Sequence, residues 1–581
     1  MGNRVRMRSE RSSQPAGARP RAPRRGLPGA LAGPALAGLA ALGVAAACVT
    51  GLAGCTGSGG SHAQNAVGGG SGASASTAGI SGRGPSNSGL GSGTASGAAA
   101  EAATPLQPLP TAVPAALRGF YQQKLSWHSC DGGFQCTTVK VPLDYAHPGG
   151  ATLRLAVVRQ PAQGGSGVKK LGPLLVNPGG PGGSAVQYAE YAARAYPAAV
   201  RQAYDIVGVD PRGVGASAPV SCLTDRQMDA YTRADETPDT SAETNALVAA
   251  DTGFGKGCAQ HSGPELGHVS TVESARDMDV VRAALGQSRL DYLGASYGTF
   301  LGATYAGLFP THVGRMVLDG AMDPALSSYQ LDLGQAAGFE TAFRSFAADC
   351  AKRSGCPLGG SAAAAGPALD KLFAGLDAHP LPAGNGRTLT ESLATTGVMA
   401  AMYDQTEWPQ LRAALTEAKR GDGTGLIALS DEYYERDAKG HYSGLMAANM
   451  AVNCLDDAPA ATGPAQVRAQ LPAFEKASPE FGEVTAWMGL GCAGWPVATT
   501  GAPHTIAAQG APPIVVVGTT RDPATPYAWA KALASQLSSG RLLSYDSDGH
   551  TAYNRGSSCI DDAVDTFLLR GTPPASGTTC R

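Results

Sequence analysis

Six short apolar runs limit the folds open to this chain more than any other feature. They are Gly172–Asn177 (GPLLVN), Tyr204–Asp210 (YDIVGVD), Leu290–Gly294 (LDYLG), Arg315–Asp319 (RMVLD), Pro513–Gly518 (PIVVVG) and Leu542–Asp546 (LLSYD). Apolar residues run on without in–out alternation, and helical stretches lie between the runs. That pattern marks strands buried on both faces, joined by crossovers. Thr137–Val141 and Leu153–Arg159 read as a strand pair opening the domain. The expectation is an α/β fold with a mostly parallel eight-stranded sheet. Glu273–Leu285 has helical spacing and leads into the Leu290 run, and Tyr297–Phe309 continues as a helix after it.

About 190 residues separate the RMVLD and PIVVVG runs, too many for a loop. The stretch is Ala-rich and helix-like, with Trp408, Trp487 and Trp495 scattered through it. It reads as an inserted helical cap over 323–505, between a first core part at 113–322 and a closing part at 506–581. Such a cap would cover the C-terminal edge of the sheet, where open α/β folds bind ligands.

The N-terminal part is of another kind. The first 25 residues hold eight Arg and one acid, Glu10, and residues 26–54 hold no charge. A basic start followed by a small-residue apolar stretch is an export signal, here 1–54. It ends Leu52-Ala53-Gly54-Cys55, which resembles a bacterial lipobox and implies cleavage before Cys55 and a lipid on its sulfur. Arg24-Arg25 sits in a poor context for twin-arginine export. Residues 55–112 are a tether, mostly Gly, Ser, Ala and Thr to about 104, and such a segment buries too little to offset its ordering entropy. Cleavage removes eight Arg and one Glu, so the formal charge falls from −2 to −9. That balance offers no basic face to nucleic acid. No later stretch is long and apolar enough to span a bilayer.

Ten cysteines follow Cys48 and Cys55. An even number in an exported chain points to disulfides, and pairing neighbours in order is the simplest scheme. Cys-x-x-Cys and His-Glu-x-x-His are both missing from the sequence, so neither metal nor cofactor is expected.

Gly294-Ala295-Ser296-Tyr297-Gly298 stands between a strand and a helix. Gly-x-Ser-x-Gly there is the nucleophile elbow of the α/β-hydrolase fold, whose strained turn needs small neighbours. A serine hydroxyl needs a base, and in this fold the acid and then the histidine follow the serine. Asp522 stands in the loop after PIVVVG. His550, the last histidine, stands in the loop after LLSYD. Ser296, Asp522 and His550 are therefore the expected triad, with Asp548 a rival acid on the histidine's own loop. Asn177–Ser184 (NPGGPGGS) supplies glycines whose amides can approach a developing oxyanion. Gly180 and Tyr297 are the expected donors. Arg212, in DPRG, reads as an anchor ordering the loop beneath those glycines.

NPGGPGGS, DPRGVGASAPVSC (210–222), the elbow, DPATP (522–526) and DGHT together resemble the secreted tripeptidyl aminopeptidases of actinomycetes. These are serine peptidases of the family that includes proline iminopeptidase. The resemblance covers roughly 115–580. It implies an α/β-hydrolase with a helical cap, and exopeptidase action on peptides with a free N-terminus. The lipobox and tether resemble the cell-associated lipoprotein members. An exopeptidase needs a carboxylate for the substrate's ammonium group. Cys454-Leu455-Asp456 resembles a motif of the family's cap and makes Asp456 the candidate, with Glu407, Glu432 and Glu435 as rivals. Two other functions use the same features: an esterase or lipase working with this triad, and a surface lipoprotein that only binds peptides.

Overall fold

The computed structural model describes residues 103–581. The expected signal, Cys55 and nearly all of the tether lie outside that range.

One sheet of ten strands organises the molecule. In chain order these are β1 (His128–Ser129), β2 (Gln135–Pro142), β3 (Thr152–Gln160), β4 (Gly172–Asn177) and β5 (Tyr204–Val209). Then come β6 (Leu290–Ala295), β7 (Val313–Asp319), β8 (Ile514–Arg521), β9 (Gly540–Asp548) and β10 (Thr578–Cys580). Their spatial order is β10-β9-β8-β7-β6-β4-β5-β3-β2-β1. From β5 through β4 to β10 every pairing is parallel, and β1, β2 and β3 join antiparallel at the other edge. The sequence pattern gave eight strands. The two more are edge strands of two and three residues, too short to carry a periodicity.

Burial on both faces is what the unbroken apolar runs encode. In β8, Ile514 and Val516 enter one hydrophobic cluster while Val515 and Val517 enter the cluster on the opposite face. In β4, Leu175 and its neighbours Leu174 and Val176 divide in the same way. Each such side chain contributes about 1.5–3 kcal/mol on burial. Helices cover the faces, among them α1 (Ala185–Ala195), α2 (Thr271–Ala284) and α3 (Tyr297–Leu308).

The chain between β7 and β8 is mainly helical, with one hairpin at Leu381–Ala383 and Arg387–Leu389. It includes α4 (Ser328–Ala351), α5 (Glu391–Ala400) and α6 (Leu445–Asp456). The cap has a hydrophobic cluster of its own, with Phe339, Phe343, Leu393, Trp408 and Phe481. Helix α6 departs from this arrangement, since its Ala451, Val452 and Leu455 pack into the sheet's cluster. Five disulfides join Cys130–Cys136, Cys222–Cys258, Cys350–Cys356, Cys454–Cys492 and Cys559–Cys580, neighbours paired in order. Among the described residues no helix is long and apolar enough to cross a membrane.

Arg212 is fully buried in the loop after β5. Its guanidinium donates to both oxygens of Asp277, at 2.7 and 2.8 Å, and to the carbonyls of Pro142, Leu143 and His268. Every donor direction is filled by protein, which makes it an anchor. Beside it, Asp210 accepts from Ser184 Oγ at 2.7 Å and from the Val186 and Ala216 amides. These bonds cap α1 and hold the end of the NPGGPGGS loop.

Candidate active site

Ser296 ends β6 and begins α3 with φ +55° and ψ −128°. A non-glycine residue at positive φ is strained and persists only when its surroundings impose it. Here they do. Its N–H donates to Asp319 O at 2.9 Å, and its C=O accepts from Thr299 Oγ1 at 2.6 Å. The flanking glycines leave no room for a side chain: a Cβ on Gly294 would lie 2.3 Å from Gly298 O, and one on Gly298 would lie 2.8 Å from Asn177 Oδ1. The serine hydroxyl makes no capping bond to its own helix.

His550 follows β9 and Asp522 follows β8. The structure brings them together, with Nδ1 of His550 2.9 Å from each carboxylate oxygen of Asp522. Asp522 is buried and also accepts from the amides of Ala524, Thr525 and Thr551. Thr525 Oγ1 donates to Asp522 Oδ2 at 3.1 Å. The rival acid, Asp548, is engaged by Arg521 instead. Across the imidazole, Nε2 is buried and without a hydrogen-bond partner among the described residues. The ring lies beside the elbow, since a Cβ on Gly320 would be 3.1 Å from His550 Cε1, and Gly320 follows the residue that accepts the Ser296 N–H. The Asp319 carboxylate, pushed up by burial, accepts from the Ala552 and Tyr553 amides and ties β7 to the histidine loop.

The cap also holds this loop. His550 N–H donates to Tyr403 O at 2.8 Å, and the Tyr403 ring stands edge-on to the imidazole at 5.5 Å. Asp404 pairs with Arg555 at 2.9 Å. Tyr403 and Asp404 carry no motif and were not expected from the sequence.

The NPGGPGG loop lies against the elbow. A Cβ on Gly179 would be 2.5 Å from Ala295 O and 2.8 Å from Tyr297 N. Gly179 spends its own N–H on Asn177 Oδ1 at 2.9 Å, which makes Gly180 the next amide along the loop. Tyr297 is the first residue of α3, where backbone N–H groups have no partner within the helix.

Asp456 lies at the end of α6, and both its oxygens are already engaged. One accepts from Thr271 N–H at 2.8 Å and the other from Thr271 Oγ1 at 2.5 Å. Burial pushes its carboxyl up to about 7, against these two bonds. Glu435 accepts from Ser443 Oγ. Burial, then the charges of Glu432 and Asp404, raise Glu407, and burial raises Glu432.

The sheet, with a strained serine between a parallel strand and a helix, defines a serine hydrolase of the α/β-hydrolase fold. Residues 478–580 match the family described as TAP-like protein. The chain is 40% identical over 479 residues to serine protease Hip1 of Mycobacterium tuberculosis, across 79% of this chain and 91% of that protein. It is 40% identical over 471 residues to carboxylesterase B of the same organism, covering 78% and 89%. Against tripeptidyl aminopeptidase of Streptomyces lividans the identity is 34% over 472 residues, covering 78% and 86%. The chain belongs to this TAP-like family of serine peptidases.

Proposed function

We propose that the protein is a cell-surface exopeptidase that releases short peptides, tripeptides in particular, from free N-termini through an acyl-enzyme on Ser296. The Asp522–His550 pair, with an unpartnered Nε2 beside the elbow, supports the acyl-enzyme chemistry, and the relatives named serine protease and tripeptidyl aminopeptidase support a peptide as the substrate. Asp522 keeps the proton on Nδ1, so Nε2 accepts the serine proton as Oγ attacks the scissile carbonyl. The amides of Gly180 and Tyr297 stabilise the oxyanion. His550 then protonates the leaving amine, and water releases the peptide by the same steps. Glu407, which feels the charges of Glu432 and Asp404, is with Glu432 a rival to Asp456 for the substrate's ammonium group. A lipid on Cys55 would anchor the enzyme to the outer face of the membrane.

A relative named carboxylesterase, as similar as the protease, keeps an esterase as the second reading. The purified full chain is assayed on a free-amine tripeptide anilide, the same anilide N-acetylated, and a short acyl ester. Hydrolysis of the free-amine anilide alone, lost in Ser296→Ala, is the expected result. Equal turnover of the blocked anilide, or turnover of the ester alone, would overturn the exopeptidase reading.

A further inference from the structure

Helix α6 touches the NPGGPGG loop and, through Thr271 at the start of α2, the Tyr297 side chain. Near its start, Asn449 Nδ2 donates to Pro181 O at 3.1 Å, and Asn449 Oδ1 accepts from Asn453 Nδ2 at 3.0 Å. Backbone meets backbone there, since a Cβ on Gly182 would lie 2.4 Å from Leu445 O. At its far end, Asp456 receives the Thr271 amide and hydroxyl, and the Thr271 hydroxyl oxygen lies 2.5 Å from the Tyr297 hydroxyl. With Thr271 donating to Asp456, the Tyr297 O–H donates to Thr271. The end of α6 is itself fixed: Leu455 O accepts from the Thr500 and Gly501 amides, and Cys454 is bonded to Cys492.

An oxyanion site stabilises charge only when its donors are already in position, and small misplacements cost much of the rate. Within the loop, Gly179 N–H donates to Asn177 Oδ1 and Gly183 N–H to Gly179 O at 3.1 Å. The loop has positive φ at Gly179, Gly180 and Gly182, and its glycines have no side chains to pack. Tyr297 is the first residue of its helix, where backbone N–H groups have no partner within the helix. The loop is held by Asn449 of α6, and the Tyr297 hydroxyl by Thr271 of α2, which Asp456 of α6 holds in turn.

We infer that α6 is a clamp on the oxyanion site, with Asn449 positioning the Gly180 loop and Asp456, through Thr271, positioning Tyr297. The inference rests on the reading of Gly180 and Tyr297 as oxyanion donors. It gives Asp456 a role other than ammonium binding, consistent with both of its oxygens being taken by Thr271.

The test uses the full chain and two probes. The first is a fluorophosphonate: the Ser296 Oγ–P bond forms, the P–F bond breaks, fluoride leaves, and the serine proton passes to His550. It reads the oxyanion site without requiring peptidase activity. The second is the free-amine tripeptide anilide beside its N-acetyl form. Asn449→Ala and Thr271→Val are each expected to lower the phosphonylation rate and kcat by about tenfold or more, with KM within about twofold. Thr271→Ser, which keeps the hydroxyl, is expected to stay within about threefold of the wild type. Unchanged phosphonylation in both loss variants overturns the clamp. So does a Thr271→Ser variant as impaired as Thr271→Val, which would make the effect one of packing. Asp456→Asn that raises KM for the free-amine anilide alone would return Asp456 to ammonium binding and also overturn it. Should Thr271→Val fail to fold, Asn449→Ala, at a partly exposed side chain, decides. If the wild type reacts with the phosphonate and cleaves no peptide, the exopeptidase reading fails and the phosphonylation rates still decide the clamp.

Discussion

Gly179 is where the NPGGPGG loop closes on the elbow. Its φ of +94° disfavours any side chain, and an added Cβ would press on Ala295 O and Tyr297 N. Gly179→Ala must therefore push the loop off the elbow. We expect kcat to fall at least about tenfold and the melting temperature to drop, read by turnover and thermal unfolding. Asp522→Asn tests a different link. An amide in that place presents its NH2 or a weaker acceptor to Nδ1 and disturbs the tautomer that leaves Nε2 free. The expected loss in kcat is about 10³–10⁴-fold with KM little changed. A loss confined to KM would instead mean that Asp522 binds substrate. The strained turn at Ser296 and the pairing of Asp522 with His550 were legible in the sequence because each residue follows a recognisable strand in a fixed chain order. Tyr403, Asn449 and Thr271 were not. Their contacts join positions tens to hundreds of residues apart, and none needs an unusual residue type.

The segment Tyr403–Asp404 follows α5 and joins the cap to the histidine. Tyr403 offers a carbonyl and a ring edge to His550, and Asp404 holds Arg555 further along the same loop. Tyr403→Ala removes the ring and keeps the carbonyl. We expect kcat to fall by about three- to tenfold, while Tyr403→Phe, which keeps the ring, stays near the wild type. Equal effects of the two would assign the role to the phenol hydroxyl instead, and single-turnover acylation rates distinguish the cases. The sheet elements were legible because burial on both faces writes itself into unbroken apolar runs. Edge strands β1 and β10 were not, since two or three residues hold no pattern. The allegiance of α6 was hidden for another reason: its apolar face reads the same whether it packs on the cap or on the sheet.

Charge acts on the molecule as a whole. Burial pushes Asp332 and Glu391 up to about 7, and burial with the charges of Asp251, Asp235 and Glu391 pushes Glu236 up to about 8. Unfolded carboxyls titrate near 4. Between about pH 4 and pH 8 the native state thus binds more protons than the unfolded chain, and stability falls as pH rises through that window. Asp279 works the other way. Burial opposes its charge, but bonds from His312 and Arg282 prevail and hold it at about 2, a contribution lost as pH falls below 4. The melting temperature is expected to be higher at pH 5 than at pH 8, with calorimetry as the check. A steady rise from pH 5 to pH 8 would mean that these carboxyls are charged in the native protein. The disulfide between Cys454 and Cys492 has a consequence of timing. It fastens the helix that holds the oxyanion loops, and such bonds persist in oxidising surroundings and not in a reducing cytosol. A chain still among reduced thiols lacks that fastening. Reduction of the purified chain is therefore expected to lower its phosphonylation rate, and reoxidation to restore it.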